Sequence, residues 1–315
     1  MKERNANLDV FRCLVMFLIV LGHSQQHGAW SDVRWMNTVF MTFVCWHVDA
    51  FLSLSGWFGV RFSCQKFWRL WAVIAFYSAV SIAVGRFVLG EATPLRISGG
   101  WYGNTYLCLM LVAPLLNAGI DSLASKGNKH LWSAWAGFAA VIWINWLSRN
   151  SYIGMLAYDI QPFSLVQMVF VYFTMRVVRL TNLLQKVRLW HCAFALGAFA
   201  LGAFADFTRT NYLAPYVMIM ALAMFILFER FIRLPACVGR LAVWAAPSMF
   251  GVYLIHEVSS YGQFLHRVPS RWLSSLGLSP WLCVLGAALF CFVLCIVLDA
   301  LRRNAIVVAR RLFRC

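Results

Sequence analysis

Arg12 and His23 stand in the stretch LDVFRCLVMFLIVLGHSQQHG, residues 8–28, which is otherwise apolar almost throughout. At about 100° per residue their spacing comes within roughly 20° of three full turns, so both leave one helix face, separated by about 16 Å along the axis. An ionised group near the centre of a bilayer costs around 2.5–3.5 kcal/mol on insertion scales, so such a face turns toward a bundle interior or a polar pathway. A histidine there can take a proton from a hydroxyl near neutral pH, and an arginine half a membrane away can hold phosphate. His27 follows four residues later, but no Glu lies between the two histidines and no third ligand is evident, so no metal is expected.

The run WHVDAFLSLSGWFG carries His47 and Asp49 to membrane depth, with Ser53, Ser55 and Gly56 behind them. Asp49 needs a partner, and Arg12 or His23 is the expected one. Lys66 and Arg69 in KFWRL follow Arg61 at an inner surface, where they set topology or dock a cytoplasmic polyphosphate. Trp101 and Tyr102 in GGWYGNTYL read as an aromatic belt. Tyr253, His256 and Glu257 lie in GVYLIHE. On a regular helix His256 and Glu257 are about 100° apart, which predicts that they do not face one point.

The elements that must position these residues are membrane helices. Of 315 residues, 62% are hydrophobic and only 12% charged, with a mean hydropathy of +0.72, which describes an all-α, polytopic membrane protein. Apolar windows recur at about 8–26, 37–60, 70–89, 101–119, 130–147, 163–180, 188–205, 211–229, 247–265 and 281–300, predicting ten helices. With the amino terminus inside, 19 of the 27 Lys and Arg fall on the inner side and 7 on the outer, so both termini are expected in the cytoplasm. The net charge of +16 is scattered between apolar runs rather than massed on one face, which excludes nucleic acid as a partner and makes the bilayer the partner. Ten cysteines without CxxC spacing argue against a disulfide framework and a zinc site. The first apolar run lacks a small-residue cleavage site and reads as a retained helix. One membrane domain, 1–300, is expected, followed by a basic tail, 301–315, whose alternating arginines and apolar residues suit an interfacial helix.

Taken together, these motifs resemble the bacterial membrane acyltransferases of acyltransferase family 3. LDVFR with His23 ten residues beyond Arg12 is similar to that family's first-helix signature. VDAFLSLSGWF resembles its second-helix pattern, KFWRL its basic cytoplasmic motif, GGWYGNTYLCLMLVAPLLN its Trp-Tyr helix, and GVYLIHE its late tyrosine-to-histidine motif. Ala50 and Leu52 depart from the pattern, as does the extra His47. The resemblance implies a multi-pass enzyme of the bacterial cytoplasmic membrane. It would transfer an acyl group, most often acetyl, from cytoplasmic acyl-CoA to a hydroxyl of a cell-envelope polysaccharide or a polyprenyl-linked glycan precursor. It implies His23 as the catalytic residue and Arg12, Lys66 and Arg69 at the donor; the residues themselves add Asp49 as a second catalytic candidate, and His47, Ser55, Trp101, Tyr253, His256 and Glu257 near the acceptor or behind the site. Acetyl-CoA would be a substrate, with no cofactor bound permanently. A transporter or flippase for a glycan or small anion is the alternative, since intramembrane Arg, His and Asp also line substrate paths; no paired halves are visible in the sequence.

Overall fold

The computed structural model describes residues 5–90, 95–150, 164–205 and 211–312. Among them every regular element is helical. In chain order these are α1 (Ala6–His27), α2 (Arg34–Val44), α3 (His47–Phe58), α4 (Cys64–Ala83, prolonged by a π turn, Val84–Val88), α5 (Gly100–Ser125), α6 (Asn128–Asn150), α7 (Leu165–Leu180) and the short α8 (Leu183–Lys186). Then follow α9 (Leu189–Ala205), α10 (Pro215–Ile226, with a π turn, Leu227–Phe231), α11 (Ala236–Ala245), α12 (Met249–Tyr253, with a π turn, Leu254–Val258), α13 (Gly262–Ser275) and α14 (Pro280–Leu312). Six stretches among the described residues are long and apolar enough to cross a membrane: Ala6–His27, Arg34–Phe58, Cys64–Val88, Gly100–Ser125, Ala236–Val258 and Pro280–Ala309. The protein is an all-helical, multi-pass membrane protein.

Three expected boundaries change. The second apolar window is two helices, broken at Cys45 and Trp46, and the carbonyls left open at the end of α2 are taken by side chains. His47 Nδ1 donates to the Val44 carbonyl and Cys45 Sγ to that of Thr42. The ninth window, read as one helix over 247–265, is instead the end of a stretch that begins at Ala236 and a separate helix, α13. Pro235 starts that stretch, and Pro247, which has no N–H to give, sits in the 3₁₀ turn that joins α11 to α12. The tenth helix does not stop near 300 but runs unbroken to Leu312.

The chain divides into two compact units. Residues 1–41, 72–100 and 234–315 form the first, where α1 packs against α11, α12, α13 and α14. The Asn5 side chain caps α1 by accepting from Asn7 N at 3.0 Å, and Phe11, Val15 and Val20 are buried along its inward face. Toward the end of α14 the fully buried Asp299 accepts from Tyr77 Oη at 2.8 Å and pairs with Arg302 at 2.8 Å and Arg303 at 3.3 Å, so its charge is fully compensated.

Residues 42–71 and 101–233 form the second unit, in which α3 packs on α7 and α10, α6 on α7, and α9 on α10. Gly56 of the SGW motif makes the α3–α7 contact possible: a Cβ there would stand 2.6 Å from Met175 Cβ and 2.8 Å from the Tyr172 carbonyl. Beyond α3, Val60 is clamped. Its N–H donates to Tyr172 Oη at 3.1 Å, its carbonyl accepts from Asn117 Nδ2 at 2.8 Å, and Tyr172 in turn donates to Asn117 Oδ1 at 2.7 Å.

Candidate active site

His23 lies one turn before the end of α1, and its surroundings come from the π turn after α12. Nδ1 of His23 is 3.1 Å from Glu257 Oε2 and 3.1 Å from His256 Nε2. The adjacent His256 and Glu257 therefore do converge on one atom, against the expectation from a regular helix. A π turn bonds i to i+5 and widens the backbone, so the angle between successive side chains falls below the α-helical value, and His23 approaches between them. The widened turn is held from below by Gly262, where a Cβ would stand 2.3 Å from the His256 carbonyl oxygen. It is held from the side by Ser260, whose N–H donates to Ser81 Oγ at 2.8 Å and whose Oγ donates to the Ser81 carbonyl at 2.9 Å.

The hydrogen bonds fix the tautomers. His256 Nδ1 is 2.6 Å from the Val252 carbonyl, which can only accept, so that nitrogen carries the proton and the neutral ring has its lone pair on Nε2. Nε2 then accepts from His23, so Nδ1 of His23 is the donor and is shared between the imidazole of His256 and the carboxylate of Glu257. The basic lone pair of His23 lies on Nε2. A carboxylate behind an imidazole holds its orientation and stabilises the imidazolium that forms when Nε2 takes a proton. His23 is 18% and Glu257 27% exposed, so the pair lies at an accessible margin, while His256 is buried beneath it.

Around this pair lies a second polar layer that the motifs did not signal. Ser24 Oγ lies 2.8 Å from His266 Nδ1, with both residues fully buried, and Ala29 N donates to Ser270 Oγ at 2.9 Å. Burial pushes the His266 imidazole below its usual range, the neutral form that a hydroxyl partner suits. The rings of His27 and His266 are 6.0 Å apart and those of His256 and His266 5.7 Å. Tyr253 stands edge-on to His256, with ring centroids 6.3 Å apart. The sequence signals for Ser24 and His266 were weak: one is a serine beside a histidine, the other lies in HRVPSR, outside the quoted motifs.

The remaining candidates are distributed differently from the expectation. Arg12, partly exposed, finds its carboxylate one turn back on its own helix, Asp9 at 3.0 Å, where Asp49 had been expected. The carboxylate on His23 is likewise Glu257. In the second unit the fully buried Asp49 accepts from Gln167 Nε2 at 2.9 Å through one oxygen, and its other oxygen has no hydrogen-bond donor among the described residues. His47 is turned to the Val44 carbonyl and stands edge-on to Tyr212 at 6.0 Å. Ser55 Oγ donates to Tyr106 Oη at 3.3 Å, and Tyr106 stacks on Tyr102, which Trp101 meets edge-on at 5.5 Å. Lys66 and Arg69 are exposed in the first turns of α4, beside Arg61, where cations and the positive helix end together favour an anion. The same unit holds two arginines outside the candidate motifs: Arg179 donates to the Trp57 carbonyl and lies over the Trp57 ring at 5.5 Å, and Arg176 is 3.6 Å from Asp121.

No curated protein and no solved structure matches the chain. The family model Acyl_transf_3, described as an acyltransferase domain, matches residues 5–300, nearly the whole chain, and its span takes in α1 with His23 and the π turn with Glu257. The chain therefore belongs to this acyltransferase family.

Proposed function

We propose that the protein moves an acetyl group from cytoplasmic acetyl-CoA to a hydroxyl of a cell-envelope polysaccharide or its lipid-linked precursor, as a protein that crosses the bacterial inner membrane ten times with both termini in the cytoplasm. The observation that carries the reading is the commitment of His23 Nδ1 to Glu257 and His256, which leaves Nε2 as the base. The acceptor hydroxyl oxygen bonds to the thioester carbonyl carbon, the carbon–sulfur bond breaks, and the hydroxyl proton passes to Nε2. The imidazolium then gives that proton to the departing coenzyme A thiolate. In this reading Arg12, Lys66 and Arg69 hold the phosphates of the donor, Asp49 and His47 support the acceptor side, and Ser55, Trp101 and Tyr253 shape it.

The test supplies radiolabelled acetyl-CoA and a membrane glycolipid extract to the purified protein in nanodiscs. Label appearing in a glycolipid, released as acetate by mild base, is the expected result. Release of free coenzyme A with no labelled lipid, or uptake of glycan without acetylation, would overturn it.

A further inference from the structure

α13 is built inside out. Its buried line, Gly262, His266 and Ser270, is small or polar and faces the bundle, tied to α1 through Ser24 and to the turn that follows α1 through Ala29. About 200° around the helix lies an exposed apolar stripe at i, i+4 spacing: Phe264 at 39%, Val268 at 60%, Trp272 at 61% and Leu276 at 59% exposure. Between the two, about 100° from the buried line, the exposed Arg267 and Arg271 stand one turn apart, where i and i+4 side chains are neighbours. Among the described residues no carboxylate pairs with either arginine.

A water-facing helix would bury such a stripe; a helix at the edge of a bilayer turns it to acyl chains and keeps its cations at headgroup level. We infer that α13 docks the phosphate-bearing head of an anionic membrane lipid on Arg267 and Arg271, with the lipid's chains against the Phe264–Leu276 stripe. Guanidinium groups give planar, paired hydrogen bonds to phosphate, which the zwitterionic head of phosphatidylcholine neutralises internally. The docked head lies roughly 10 Å, one helix diameter, from the Ser24–His266 contact behind His23.

The test is native mass spectrometry of the full-length protein with equimolar phosphatidylglycerol and phosphatidylcholine. The wild type is expected to retain phosphatidylglycerol preferentially, and Arg267→Gln with Arg271→Gln to lower that preference about fivefold per arginine at an unchanged thermal midpoint. Arg240→Gln, an exposed cation at the opposite end of the Ala236–Val258 stretch, is expected to leave the preference intact. Val268→Ser with Trp272→Ser is expected to lower retention of both lipids. An unchanged preference in the double arginine variant, or an equal loss in Arg240→Gln, would overturn the inference. The assay contains neither acyl donor nor acceptor, so its outcome is independent of the proposed reaction.

Discussion

At Nδ1 of His23 two acceptors share one hydrogen, and the consequence is a division of labour between Glu257 and His256. Glu257 brings charge, so Glu257→Gln keeps a partner at Nδ1 but loses the stabilisation of the imidazolium. Its kcat is expected to fall about 10²-fold with KM for acetyl-CoA unchanged, measured by thiol release; a raised KM at constant kcat would assign Glu257 to donor binding instead. His266 acts further back. Because burial lowers its pKa in the folded protein, the unfolded chain binds the proton more readily, so this contribution to stability is complete above about pH 6.5 and is lost as the pH falls below it. Thermal midpoints measured from pH 8 to pH 5 are expected to drop in the wild type and to drop less in His266→Asn, which keeps a nitrogen for Ser24. In the second unit, Gln167→Leu is expected to cost about 1–3 kcal/mol, because it leaves the buried Asp49 carboxyl without its donor, and denaturation in detergent reads that loss directly.

At the scale of elements, the site depends on one departure from regular helix. Apolar periodicity locates the stretch holding GVYLIHE, but periodicity carries no signal for a π turn, and the α-helical angle separates two neighbours that the structure brings together. The glycine that permits it, Gly262, lies beyond the motif and inside the ninth apolar window, where nothing in the sequence marks a break. Gly262→Ala is expected to displace the turn from the His256 carbonyl, destabilise by about 1–3 kcal/mol and lose acyl transfer, whereas Gly277→Ala, with no neighbour near its Cβ but a positive φ, is expected to lower stability without touching transfer. A Gly262→Ala protein with wild-type turnover would show that the turn does not position Glu257. The long helices were legible because a bilayer demands long apolar runs: α1, α4, α5 and α14 start within about six residues of their windows. Breaks were not, since the side chains that close the end of α2, His47 and Cys45, look in sequence like candidates for chemistry or packing.

For the whole molecule, the family was legible from short motifs in order, and the model match over residues 5–300 agrees with it. Arg12 and His23 share a face as their spacing requires, but the partners assigned to them were wrong in one respect. The expected carboxylate, Asp49, lies on the second apolar run, whereas the structure supplies Asp9 one turn back on the same helix for Arg12, and for His23 Glu257 from more than 200 residues away. Long-range pairing of this kind depends on how helices pack, which hydropathy does not encode. The central claim is that His23, backed by Glu257, is the base of acyl transfer. It is tested most directly by measuring acetyl-CoA binding and coenzyme A release side by side in nanodiscs with glycolipid, for wild type and His23→Ala. The account predicts equal binding with release only in the wild type; release by His23→Ala at the wild-type rate would contradict it.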